Sequence, residues 1–135
     1  MTDMRSVARQ SMGDISPALA DYTADVLFGD LWERKALSKR DRSLITVTTL
    51  IALYRQNELP YHLKFALENG VTKEELLEVI THLAFYAGWA AAGSAAVVAK
   101  EVFAERKAFL IDKWRGVGEV AQHLRVLENQ SILMP

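Results

Sequence analysis

The chain has 135 residues, a formal charge of −1, half its residues apolar and no cysteine. That length suits a single domain, residues 1–135, able to bury about two-thirds of its unfolded surface without covalent or metal staples. The balanced charge argues against a nucleic-acid or polyanion binder, and the missing cysteine excludes disulfides, thiolate nucleophiles, dithiol redox centres, iron–sulfur clusters and cysteine-based zinc sites.

At the N-terminus, no apolar stretch of about 7–15 residues marks a secretory signal. Its weak basic amphipathic character is offset by Asp3 and Asp14, so residues 1–15 read as a flexible segment. Ser16-Pro17 then reads as a helix start, with Ser16 as N-cap and Pro17 at the first helical position. A helix over residues 17–28 follows, with Ala18, Leu19, Tyr22 and Val26 on its apolar side and Gly29 as its stop.

Residues 31–42 are mixed and basic: Arg34, Lys35, Lys39, Arg40 and Arg42 stand against Glu33 and Asp41. A phosphate or carboxylate clamp is one reading, and a solvated loop is the plainer one. Arg42 is the exception, because a buried run follows it at once and a buried arginine needs an anion, from the protein or from a substrate. Ser38 is a good N-cap, with Asp41 placed near the positive end of the next helix. Residues 43–54, SLITVTTLIALY, carry β-branched side chains that suit a strand, but a continuous start at Ser38 is too long for one. They read as a buried helix.

Pro60 fits the first turn of another helix, running to Asn69 with Gly70 as its stop. Thr72 and Glu75 form a capping box that opens the next helix. Leu76, Ile80, Leu83 and Ala87 make its apolar stripe, widened by Leu77, Val79 and Ala84. Phe85 falls on the polar side, which predicts that this side is covered too. Gly88 interrupts. Residues 90–99, AAAGSAAVVA, are small or apolar all round, and such a helix is normally buried all round. A domain of this size has little room for it at its own centre, so a subunit interface is expected over an intramolecular core. The uncharged run over residues 83–99 just reaches the roughly 17 residues of a membrane span, but it is mostly Ala, Gly and Ser. A buried element is therefore expected, and a cytoplasmic protein by default. A charged continuation, an amphipathic piece over residues 109–114, punctuation at Gly116 and Gly118 and a tail able to form a short docking helix complete the chain. With no hairpin signature, the fold class is an all-α bundle with short turns.

Two constellations carry potential chemistry. Glu58 and His62 flank Pro60 near a helix N-terminus, where free N–H groups and the helix dipole favour an anion. The dipole disfavours imidazolium while Glu58 favours it, a balance that allows His62 to titrate near neutral pH. By spacing alone, a surface histidine on a first helical turn is the plainer reading. Glu78 and His82 share a helix face at i,i+4, either as an ion pair or beside a pocket lined by Phe85, Tyr86 and Trp89. His62, His82 and His123 lack the spacing of a metal helix, so no metal is predicted.

Taken as a set, LSKRDRSLITV (37–47), ELPYHL (58–63), ALENGVTKEE (66–75) and EVITHLAFYAGW (78–89) resemble the carboxymuconolactone decarboxylase family, over about residues 17–107. The resemblance implies an AhpD-like all-α helical bundle completed by oligomerisation, commonly a hexamer built as a trimer of dimers. It implies a small-molecule pocket near ELPYHL and cofactor-independent decarboxylation of a carboxylated lactone from aromatic-compound catabolism. On that basis His62 is the expected proton-transfer residue, Glu58 orients it or acts beside it, Arg42 holds a carboxylate, and His82, Tyr86 and Trp89 line the pocket. No nucleic acid, membrane or cofactor is expected.

The related alkylhydroperoxidases use a CxxC motif with a histidine four residues after its second cysteine. Counting back from His62, those positions are Arg55 and Glu58, which excludes a thiol peroxidase. Relatives commonly carry proline soon after the GW pair, whereas Ala90-Ala91 follow Trp89 here. That departure keeps open a non-catalytic ligand-binding oligomer, or an isomerase- or cyclase-like enzyme on the same scaffold.

Overall fold

The computed structural model describes residues 1–114; Gly116, Gly118, His123 and the expected tail helix lie outside the described residues. Every regular element among them is helical, in agreement with the all-α expectation.

The segment expected as flexible forms α1 (Met4–Met12). Asp3 caps it by accepting from the Arg5 N–H, and Met4 and Ala8 are buried. Pro17 does open α2 (Pro17–Asp21), but the Ser16 side chain makes no capping hydrogen bond. A π-helical turn, Tyr22–Leu27, continues it. Here the expected apolar side is corrected: Leu19, Tyr22 and Val26 are exposed, and Ala20, Ala24 and Phe28 are buried instead. The alanines let α1 approach closely, and the wider π turn brings residues spaced by four, Ala20, Ala24 and Phe28, onto one buried face.

A 3-10 turn, Leu31–Glu33, buries Trp32. The Ser38 hydroxyl then caps α3 (Lys39–Ala52) by accepting from the Asp41 N–H. This resolves the ambiguous run as a helix, packed against α4 and α5 with Ser43, Val47 and Ile51 inside. The β-branched residues are tolerated because burial outweighs their modest helix penalty. The α3 end is a Schellman turn: Tyr54 sits at φ 58°, its N–H reaches the Ile51 carbonyl, and the Arg55 N–H reaches the Leu50 carbonyl.

α4 (Leu59–Glu68) has proline in its first turn and buries Leu59, Leu63, Phe65 and Ala66. It closes on the same type of turn, with Gly70 at φ 94°, a conformation that favours glycine. Asn69 donates to the buried Ser43 hydroxyl and so ties α4 to α3. Thr72 caps α5 (Lys73–Ala87) as the capping box requires, while the Glu75 carboxylate turns to Arg40. Leu76, Ile80 and Leu83 form its buried stripe.

Gly88, at φ 100°, turns the chain into α6 (Trp89–Trp114). Residues Met1–Val98 make one compact unit, and the rest of α6 belongs to a second. Within the first unit, Ala92 and Ala95 are buried and Val97 is exposed, so one side of the small-residue helix is covered by the chain itself. In the second, Ala99 and Val102 are buried.

Replacing Thr72 with alanine removes the α5 cap and should cost about 1 kcal/mol, a fall of about 3–5 °C in Tm on a thermal melt. Leu63→Ala, at a fully buried site, should cost about 2–5 kcal/mol by the same measurement.

Candidate active site

The α3–α4 turn builds the centre of the site. The Schellman turn at Tyr54 directs Arg55 back along the chain, and Arg55 Nη2 donates to Glu58 Oε1 at 2.8 Å. Pro60 then commits the chain to helix, which puts Glu58 and His62 one turn apart at the start of α4. The hydrogen bond from Arg55 is the main cause holding the Glu58 carboxyl below its ordinary range; burial works against it. Glu58 is therefore an anion at neutral pH.

His62 sits in an aromatic setting. Its ring stacks on Trp32, with centroids 6.3 Å apart and planes at 27°, and meets the edge of Phe65 at 6.5 Å. Burial pushes its proton affinity below that of an ordinary histidine, partly opposed by the charge of Glu58. The expected balance with Glu58 is present, but desolvation by Trp32 and Phe65 outweighs it.

Arg42 is half-buried, and its Nη2 donates to the Arg34 carbonyl just past the Trp32 turn. Among the described residues, three buried side-chain polar atoms lack a partner: Arg42 Nε, Glu58 Oε2 and His62 Nδ1. Orphaned buried polar atoms are costly and rare in folded proteins. All three fall on the residues expected to bind and protonate a carboxylic acid.

The remaining candidates lie apart. His82 stacks on Tyr86 at 4.8 Å, and Phe85 meets Trp89 edge-on at 4.9 Å. His82 lines a separate hollow with Leu44, Thr48 and Glu78. Among the described residues no ring contact or hydrogen bond joins His82, Tyr86 or Trp89 to His62 or Glu58. Phe85 and Tyr86 on α5 are 74% and 80% exposed and Trp89 at the start of α6 is 67% exposed, so the described residues leave the polar side of α5 uncovered.

The basic run is largely absorbed internally. Arg34 pairs with Asp30, Lys39 with Glu33, and Arg40 with Glu75. Three residues that matter were not singled out as site members from sequence: Trp32, Phe65 and Arg55. Trp32 stands in a charged stretch that reads as loop. Phe65, three residues after His62 and on its side of the helix, was the available signal. Among the described residues, no three His, Asp or Glu side chains are placed to hold a metal ion.

This all-α chain matches a known protein family. The model of the carboxymuconolactone decarboxylase family aligns with residues 17–101, and the chain belongs to that family. It is 38% identical over 94 residues to a 4-carboxymuconolactone decarboxylase of Acinetobacter baylyi, covering 70% of each chain. It is also 38% identical over 61 residues to a nitrosuccinic acid decarboxylase of Metarhizium robertsii, covering 45% of this chain and 43% of that relative.

His62 should titrate, by NMR, with a midpoint below about 6.5. Glu58→Gln should lower that midpoint further, because the charge that favours imidazolium is removed. The folded chain binds this proton less tightly than the unfolded chain, so stability is lost as pH falls through about 6.5 toward the lowered folded value. His62→Gln should flatten that part of a stability–pH curve.

Proposed function

We propose that this protein is a cofactor-independent carboxy-lyase, acting in the cytoplasm on a small carboxylic acid whose carbanion is delocalised after loss of CO2. The first substrate to test is a carboxylated lactone of the kind named for the Acinetobacter relative, and nitrosuccinate is the second. The observation that carries the reading is the set of orphaned polar atoms on Arg42, Glu58 and His62.

The roles follow from their chemistry. Arg42 Nε donates to a substrate carboxylate and orients it. The C–C bond to that carboxylate breaks, CO2 leaves, and the electron pair passes into the substrate's unsaturated system. The resulting carbanion then takes a proton at carbon from His62. His62 is short of protons in the unliganded chain because of its burial. An arriving anion beside it favours imidazolium, so the acid is charged when substrate is present. Glu58, held ionised by Arg55, stabilises that imidazolium and helps reload it from solvent.

His82, Tyr86 and Trp89 enter this reading through assembly. Exposed aromatics stand on α5 and at the start of α6, with Val97 further along, and exposed apolar side chains of this kind suit an interface when they form a patch. We infer a homo-oligomer, a hexamer of the trimer-of-dimers type, in which a second subunit covers this surface.

Incubation with 4-carboxymuconolactone should release CO2 with loss of substrate. His62→Ala should reduce the rate about 10²–10⁴-fold, and Arg42→Ala should act mainly by raising KM. Equal turnover by wild type and His62→Ala removes His62 from the mechanism. Sedimentation at micromolar concentration should give one assembled species, and Trp89→Glu should shift it toward smaller forms.

A further inference from the structure

The N-terminal segment lies before the part of the chain matched by the family, which starts at residue 17. It is nevertheless fastened to the site helix. The Thr2 N–H and hydroxyl both donate to the Glu68 carboxylate on α4, at 2.9 and 2.8 Å. Along α1, Arg5 pairs with Asp25, and Arg9 pairs with both Asp21 and Asp25. These contacts make residues 1–12 a strap held to α4 and to the α2 region.

Beneath the strap, Met4 enters a buried cluster with Phe28, Trp32 and Phe65. Trp32 and Phe65 meet at 5.0 Å, and Phe28 meets them at 5.9 and 6.3 Å. Trp32 and Phe65 are also the two rings against His62. The cluster is not filled. A hollow of about 180 Å³ remains between the strap and these rings, open on one side. Its lining combines Met4 and the three rings with Met1, Thr2 and the charged Asp3, Arg5, Glu33 and Lys39, and its volume is enough for a benzene-sized guest.

The charged side chains that line the hollow are already engaged. Lys39 pairs with Glu33, Arg5 pairs with Asp25, and Asp3 accepts from the Arg5 N–H and the Ser6 hydroxyl. None is left to neutralise a charged guest, and an unpaired charge resists burial. Methionine is a flexible gap-filler able to yield to a guest.

We propose that this hollow, walled by Met4, Phe28, Trp32 and Phe65, is a binding subsite for an uncharged, ring-sized group. Trp32 and Phe65 form a shared wall between it and His62. A guest there presses on the rings that desolvate His62, so the subsite senses small aromatic or lactone rings separately from the carboxylate-binding residues. It needs no turnover at His62 and stands whether or not the carboxy-lyase reading holds.

The test is NMR of the full chain carrying ¹³C-methyl methionine, with the Trp32 indole N–H as a second reporter. Toluene should shift the Met4 methyl and the Trp32 signal saturably while leaving Met12 in place, and benzoate should bind about tenfold or more weakly. Met4→Ala enlarges the space and should strengthen indole binding relative to toluene, read at Trp32. The proposal is overturned if toluene leaves Met4 and Trp32 unmoved, if it moves all methionines alike, or if benzoate binds as well as toluene. Should Met4→Ala not fold, the wild-type titration decides alone.

Discussion

The site depends on one packing arrangement, the burial of the His62 imidazole against Trp32 and Phe65. Leu59, Leu63 and Ala66 bury the inner side of α4 and fix the backbone from which the ring projects. Desolvation then sets its chemistry: burial makes the imidazole harder to protonate than an ordinary histidine. A group in that condition responds strongly to any anion brought beside it. The same wall is shared with the cluster that Met4 completes, which links the N-terminal segment to the site through packed rings.

Glu58 and Arg42 share one asymmetry. Glu58 gives one oxygen to Arg55 and keeps the other buried without a partner. Arg42 gives one guanidinium nitrogen to a carbonyl and keeps another in the same condition. Each side chain is held by one contact and left with capacity by the other, as suits a site whose ligand supplies the missing partners. Arg55 and Glu58 also occupy the positions where the peroxidase branch would carry its two cysteines. An i,i+3 ion pair stands where a redox pair would be, and it fixes the charge of the carboxylate beside His62.

The exposed surface follows a second logic. Phe85, Tyr86, Trp89 and Val97 stand open while the chain spends its smallest residues, Ala92 and Ala95, on internal contact. Alanines permit close backbone approach but bury little area. Larger side chains are thereby left on the outside, the surface that the proposed assembly would cover.

Much of the helical framework was legible in the sequence. Ser38, Thr72, Pro60 and Gly70 mark helix ends through local hydrogen bonding and backbone preference, which act over a few residues and need no tertiary partner. The identity of the Glu58–His62 pair was legible for the same reason, since its spacing is one helical turn. Three things were decided only by the fold. Trp32, in a charged stretch, becomes the wall of the site because α3 and α4 pack together behind it. The stripe Leu19, Tyr22 and Val26 yields to Ala20, Ala24 and Phe28 because a π turn and the close approach of α1 rotate the buried face. The N-terminal segment becomes a helix because Glu68 and the aspartates at 21 and 25 are brought within reach of its Thr2, Arg5 and Arg9. Local propensity determined where helices begin and end, whereas long-range packing determined which of their faces are dry, and the chemistry of His62 follows from the dry face.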